Sequence, residues 1–376
     1  IKGYKMSSIF APLTFNRGPE MKNRFMLAPL TNSQSHEDGV CSEDEYNWLT
    51  KRAEGGFGLT MTCAAHVQAE GKGFPGQLGI FSDEHITGLT RLASTIKKHG
   101  SVAIAQLYHG GMRCPADVIG TQPLSASDNE KWGARAMTTV EVESMIEAFI
   151  VAAERAEKSG FDGVELHGAH GYLLAQFLSA EFNSRTDQFG GSLQNRQRPL
   201  MQIINGIRER CGAEFMLGVR LSPERFGMDL SEILSLVENL LDDEKIEFLD
   251  MSLWDVFKEP EEDAYAGKSL LSYFTSIPRK NVRLGVAGKI TTPADIQRAL
   301  DQGVDWVMLG RAGILHHNYP ELLRANADFS PTELPVSETY LLSEGLSQTF
   351  VEYMKVWKGF VKDAEGFVDN DVILNS

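Results

Sequence analysis

Short apolar runs rich in β-branched and aromatic residues alternate along this chain with stretches whose apolar positions recur at helical spacing. Eight runs read as strands: Phe25–Ala28, Leu59–Ala64, Val102–Leu107, Gly163–His167, Phe215–Leu221, Phe248–Leu253, Val282–Ala287 and Trp306–Leu309. Their near-continuous apolar character is that of parallel strands covered on both faces. Between them, helix starts are legible. Thr138-Thr-Val-Glu141 has the spacing of a capping box, and Val142, Met145, Ile146, Phe149, Ile150 and Ala153 follow on one helical face. Thr292-Pro293 supplies a cap and a first-turn proline, with Gly303 as the stop before Trp306. Ser82-Asp83 stands in the same way before Ile86, Leu89, Leu92, Ala93 and Ile96.

Eight βα units predict an α/β fold, a closed (β/α)8 TIM barrel over residues 6–330 as one domain. A doubly wound open sheet is the other arrangement the pattern allows. In the barrel, the long connections 65–82, 108–138 and 254–277 gather on the C-terminal face, where such folds build their sites. Residues 331–376 are expected to form a helical extension whose Tyr340, Leu341, Phe350, Tyr353, Met354 and Trp357 cover the barrel or a second subunit. A homo-oligomer is therefore open. Residues 1–5, ahead of Met6, lack an apolar core segment and read as a remnant outside the fold.

Charge narrows the function. With 36 basic and 51 acidic residues the net charge is −15, which disfavours nucleic acid and anionic membrane as partners. No apolar run approaches the roughly 20 residues that span a bilayer. Cys41, Cys63, Cys114 and Cys211 are scattered without CxxC pairing, as in reduced thiols of a cytoplasmic protein. Small molecules are the expected partners.

The richest chemistry lies in Glu165-Leu-His-Gly-Ala-His-Gly-Tyr172, at the end of the fourth strand. Imidazoles donate hydrogen bonds near neutral pH and a phenol can release a proton. For His167 and His170 three readings stand: structural histidines, half of a zinc site, or donors to an oxyanion beside Tyr172. Spacing does not separate them. Strand alternation turns Gln106, His167 and Arg220 toward one cavity near the strand ends. An arginine set between Val219 and Leu221 needs an anionic ligand or an ion pair with Glu165. Gly288, after the seventh strand, and Gly310-Arg311, after the eighth, occupy the phosphate position of such barrels and favour a phosphate-bearing ligand. Ala28-Pro29-Leu30-Thr31 leaves the first strand at a proline and faces the same mouth.

Taken in order, these segments resemble the Old Yellow Enzyme family of flavin-dependent ene-reductases, from about Ser8 to Arg324. The carriers are Asn23–Thr31, Gln106-Leu-Tyr-His-Gly-Gly-Met-Arg113, Phe161–Leu173, Asn183–Ser192 with Asn195-Arg196, and Gly218-Val-Arg220. The resemblance implies non-covalent FMN, with NADPH or NADH as reductant. It implies that Ala28, Pro29, Leu30, Thr31 and Ala64 line the flavin, and that Gln106 bonds its pyrimidine edge. Arg220 would stand near N1 and the C2 carbonyl, and Gly288, Gly310 and Arg311 at the phosphate. His167 and His170 would anchor the oxygen of an activated alkene, an α,β-unsaturated carbonyl or nitro compound, and Tyr172 would protonate it. Trp254, where much of the family carries a small glycine-bearing turn, is expected to shape the substrate mouth. A same-fold flavoenzyme of dienoyl-reductase or demethylase type is the nearest alternative, and a metal-dependent lyase or hydrolase the more distant one.

Overall fold

Eight parallel strands close on themselves in sequence order: β1 Phe25–Leu27, β2 Leu59–His66, β3 Val102–Tyr108, β4 Gly163–Gly168, β5 Met216–Leu221, β6 Phe248–Ser252, β7 Arg283–Ala287 and β8 Trp306–Leu309. All eight expected runs are present. The barrel closes through β1 and β8, where Phe25 stands opposite Val307 and Leu27 opposite Leu309. This is a (β/α)8 barrel, and the doubly wound sheet is set aside. The molecule is described here by a computed structural model covering residues 8–364; the leading remnant expected at 1–5 lies outside the described residues, as does the end of the C-terminal extension.

Strand register arranges the polar residues. Gln106 pairs with Glu165 across β3 and β4, His167 with Arg220 across β4 and β5, and Arg220 with Asp250 across β5 and β6. Side chains opposite one another in a sheet share a face, so this set points together into the barrel. Pairing of β2 with β3 slips between Met61 and Ala64, a bulge that sets Ala64 opposite Gln106. Thr62, inside the bulge, accepts the Gln106 amide N–H at 3.1 Å, so the irregular strand still satisfies its neighbour.

The helices start where their caps predict. Thr138 and Glu141 form a capping box on Thr139–Lys158, and Thr292 caps Pro293–Asp301. Ser82 differs: it caps a single 3-10 turn, Asp83–His85, and the helix proper runs Ile86–Lys98. Among the described residues no helix is long and apolar enough to cross a membrane.

Beyond the barrel, the chain forms helices Glu338–Ser343 and Gln348–Lys355. Phe350 meets Trp48 of helix Glu43–Glu54 edge-on with centroids 4.8 Å apart, and Leu341, Phe350, Val351 and Met354 are fully buried. Burying side chains of this size contributes about 2 kcal/mol each. The extension thus covers the barrel and turns back toward its mouth. The Asn183–Ser192 segment is bound into the scaffold: Asn183 donates to the Phe177 and Phe189 carbonyls at 2.7 and 2.8 Å, and Arg185 donates to the Ala126 carbonyl at 3.0 Å.

Candidate active site

Toward the C-terminal strand ends the barrel buries a guanidinium that no other group of the protein binds. Arg220 is fully buried, and Nε, Nη1 and Nη2 all lack a hydrogen-bond partner. It forms no ion pair with Glu165, so the structural alternative for this arginine is not what the fold contains. A buried charge left unpaired costs several kcal/mol, which a ligand anion would recover. Burial lowers the Arg220 pKa, opposed by the negative field of Glu165 and Asp250. Beside it, Gln106 donates its amide N–H to Glu165 Oε1 at 2.7 Å. That bond fixes the amide's orientation and leaves Oε1 as an acceptor and the second Nε2–H as a donor for a ligand.

His167 and His170 are brought face to face by an unusual turn. His170 adopts φ +59°, a left-handed conformation that residues other than glycine rarely take. The turn sets His170 Nδ1 3.3 Å from His167 Nε2. The Ala169 N–H donates to His167 Nδ1 at 3.4 Å, which places that ring's proton on Nε2. On the other ring, Nε2 of His170 lies 2.7 Å from the Ser252 hydroxyl. A Ser252 hydroxyl donating to Nε2 would put the His170 proton on Nδ1. An oxygen seated against both nitrogens, replacing the bond they share, would then receive two N–H bonds. Burial first, and Arg220 second, hold both imidazoles well below their usual pKa, so they serve as neutral donors.

Tyr172 completes this cluster. Its ring centroid lies 5.0 Å from that of His167 and 4.6 Å from that of Tyr108. Arg113 sits over the Tyr172 ring at 5.0 Å and donates to the His170 carbonyl at 2.5 Å, bracing the left-handed turn. Tyr108 is buried against Tyr172, their rings edge to face. Trp254, on the loop after β6, lines a small cavity with His170, Ser222, Phe226 and Ser252. Its ring carries the Arg225 guanidinium 4.3 Å from its centroid.

Gly288, Gly310 and Arg311 come together in a second, small concavity with Lys289, Ile290, Thr291 and Met308. Gly288 has φ +144°, and a Cβ there would stand 2.9 Å from the Trp254 carbonyl carbon. Only glycine fits. Arg311 is partly buried and forms no ion pair among the described residues. Ala28 and Leu30 are buried at the exit of β1, with Thr31 half-buried beside them, and Ala64 lies behind on β2.

Three contributors were not singled out from the sequence. Ser252 shares the inward face with Asp250, so strand alternation could have found it. Asp250 is fully buried in the barrel. Tyr353, from the C-terminal extension, comes close to Thr31 and Tyr172, and burial raises its pKa. No local pattern signals that return, because it depends on where the tail packs. Among the described residues no third His, Cys, Asp or Glu joins His167 and His170 to make a metal-binding group.

The NADH:flavin oxidoreductase / NADH oxidase family matches residues 8–328 of the chain. The chain belongs to this family, the Old Yellow Enzymes. It is 36% identical over 326 residues to the probable NADH-dependent flavin oxidoreductase YqiG of Bacillus subtilis (strain 168), covering 84% of this chain and 87% of that one. The Old Yellow Enzyme homologue from Zymomonas mobilis superposes with a TM-score of 0.76 at 27% identity, over 92% of this chain and 99% of that one. By contrast, the chain spans 36% of the NADH:fumarate oxidoreductase of Klebsiella pneumoniae (strain 342) and 52% of a 2-naphthoyl-CoA reductase chain. This Old Yellow Enzyme is an NAD(P)H-dependent flavin oxidoreductase with FMN as cofactor. The residues present fit that cofactor: an orphaned buried guanidinium for an anionic ring edge, and a glycine-walled concavity with an unpaired arginine for a phosphate.

Two further buried histidines make the fold's stability depend on pH. Burial pushes His66 down to about 4 and His109 to about 3. Unfolded, each takes its proton near 6.5. Their folded values are depressed, so the unfolded state binds more protons in between, and stability falls as pH drops. The contribution is complete above about pH 6.5 and is lost toward the folded values; His66 alone accounts for roughly 3 kcal/mol. Urea midpoints should decline from about pH 7 to 4.5, less steeply in His66→Gln. Identical slopes in both proteins would contradict this.

Proposed function

We propose that this enzyme reduces the activated carbon–carbon double bond of α,β-unsaturated carbonyl or nitro compounds. The observation that carries the reading is the pair of buried, neutral ring nitrogens 3.3 Å apart beside Tyr172, above an unpaired Arg220. Ala28, Pro29, Leu30, Thr31 and Ala64 would hold the flavin ring of FMN, Gln106 and Arg220 its polar edge, and Gly288, Gly310 and Arg311 its phosphate. When bound, FMN supplies two-electron exchange between NAD(P)H and the alkene.

The protein's part is polarisation and proton delivery. His167 and His170 donate to the substrate oxygen in a dry cavity, where such bonds are strong, and draw electron density from the β-carbon. Ser252 keeps His170 in the donating tautomer. Tyr172 gives its hydroxyl proton to the α-carbon, with the Tyr108 ring packed beside it. Trp254 with Arg225 narrows the approach on the His170 side and selects among substrates.

Isotopic labelling tests this division of labour. With 4-deuterated NAD(P)H in ordinary water, the label should appear at the β-carbon of cyclohexanone formed from cyclohexenone. With unlabelled reductant in D2O it should appear at the α-carbon. Solvent deuterium at both carbons, or no saturated product, would overturn the reading.

A further inference from the structure

The small cavity beside His170 holds a cation without a dedicated partner. Arg225 lines it together with His170, Ser222, Phe226, Ser252 and Trp254. Its guanidinium lies 4.3 Å from the Trp254 ring centroid, and 27% of its side-chain surface is exposed. Among the described residues its ion-pair partner is Glu261, at 3.7 Å, beyond hydrogen-bond reach. Glu261 is itself held by Lys258 at 2.9 Å. The carboxylate that lines the cavity, Glu224, is also occupied: Lys258 pairs with it, and its Oε2 accepts the Glu261 N–H at 2.8 Å. The N–H groups of Arg225 are left open to a ligand.

The fold holds Arg225 in a strained turn. Arg225, Phe226 and Gly227 have φ +63°, +51° and +74°, three successive left-handed positions of which only the last is glycine. The Met228 N–H donates to the Arg225 carbonyl at 2.8 Å, and the Ser179 hydroxyl donates to the Gly227 carbonyl at 2.7 Å, which pins the turn. Trp254 has φ +64° and His170 φ +59°. Four non-glycine residues around one cavity thus take a conformation such residues rarely adopt. Strain gathered in this way marks sites where the aim of a side chain matters. The turn is also tied to the oxygen anchor. Phe226 meets the His170 ring edge-on with centroids 6.1 Å apart, and the His170 N–H donates to Ser222 Oγ at 3.0 Å.

We infer that Arg225 is a specificity residue that receives a carboxylate, so that the preferred substrates are activated alkenes carrying an acid group. This rests on the reading that His167 and His170 hold the carbonyl oxygen. A guanidinium offers paired N–H donors that match the two oxygens of a carboxylate. Trp254 supports the cation through its ring face, a contact that uses none of those donors. Glu261 is 54% exposed and shared with Lys258, so it is a counter-charge that a substrate can displace. Arg113 adds to the positive field: it lies over the Tyr172 ring at 5.0 Å and forms no ion pair among the described residues. In a chain of net charge −15, these cations set the surroundings of His170 and Tyr172 apart from the rest of the molecule. The cavity is small, which suits a carboxylate on a short unbranched chain rather than a second ring.

Two keto acids probe the site: (E)-4-oxopent-2-enoate, with its carboxylate beyond the alkene, and 4-oxohex-5-enoate, with its carboxylate beyond the carbonyl. Each is assayed on the holoenzyme against its methyl ester. An ester activates an alkene more than a carboxylate does, so the readout is the change in the acid-to-ester ratio of kcat/KM on substitution. For at least one acid, Arg225→Gln should lower that ratio by about tenfold or more. Arg225→Lys, which keeps the charge but not the paired donors, should fall between the two. The wild-type preference should also weaken as salt is raised. A ratio that is the same in wild type and Arg225→Gln for both acids would overturn the inference. Calorimetry with 4-oxopentanoate, which has no alkene to reduce, gives a second readout. Wild-type holoenzyme should bind it more tightly than its methyl ester, and Arg225→Gln should bind the two alike. Equal binding of acid and ester by wild type would overturn the inference. A preference that vanishes in Arg225→Gln would support the carboxylate site even in a protein that fails to reduce cyclohexenone, where the alkene reading alone would fall.

Discussion

Replacing Tyr172 by phenylalanine is expected to slow alkene reduction about 100-fold or more while leaving reduction of the bound FMN by NAD(P)H within about twofold. The asymmetry follows from what the phenol touches. Its ring lies against His167 and Tyr108, where the substrate oxygen and α-carbon are placed, and its one chemical task is to supply a proton there. Transfer from nicotinamide to the flavin consumes no proton from Tyr172. The substitution removes a single oxygen and keeps the ring beneath Arg113, so the left-handed turn at His170 stays braced. Rapid-mixing measurements of the two half-reactions separate the outcomes. Equal losses in both would assign Tyr172 to binding or folding rather than to proton delivery.

The double variant His167→Ala/His170→Ala is expected to lose about a thousandfold in kcat/KM for cyclohexenone, while FMN still binds. The loss should be strongly non-additive. In the proposed reading both nitrogens serve one oxygen, while the rings' other nitrogens are occupied by Ala169 and Ser252. Removing either ring leaves an oxygen held by one donor and free to swing, so each single variant should carry most of the double variant's effect. The two singles and the double, assayed as kcat/KM with FMN content measured in each, check this. Single losses that multiply to the double loss would mean that the histidines act on different atoms.

Much of the architecture was legible from the chain because parallel strands buried on both faces have a simple signature. Leu59–His66, Val102–Tyr108 and Gly163–Gly168 were found within two residues of their ends. β1 stops at Leu27, just short of Pro29, where the ladder loses a donor. Alternation placed Gln106, His167 and Arg220 in one cavity because the period of a strand is two, and the observed registers carry that through. Other features needed the fold. The positive φ of His170 is what turns it to face His167 three residues earlier, and no residue type at that position announces it. The return of Tyr353 to Thr31 and Tyr172 depends on where the tail packs on Trp48. The loop after Trp254 carries a run of charge, Lys258 to Asp263, with the pattern of a solvated face, yet it is tied to the β5 loop: Lys258 pairs with Glu224, and Glu261 bonds to Glu224 through its backbone N–H at 2.8 Å. A run of charges does not reveal partners that lie on another strand's loop.

The central claim is that the His167, His170 and Tyr172 cluster passes reducing equivalents from FMN to an activated alkene. An anaerobic absorbance titration tests it most directly. NAD(P)H should bleach the flavin bands of the purified holoenzyme, and cyclohexenone should restore them stoichiometrically, with cyclohexanone having no effect. Flavin that stays bleached in the presence of cyclohexenone, and recovers only when oxygen is admitted, would contradict the account.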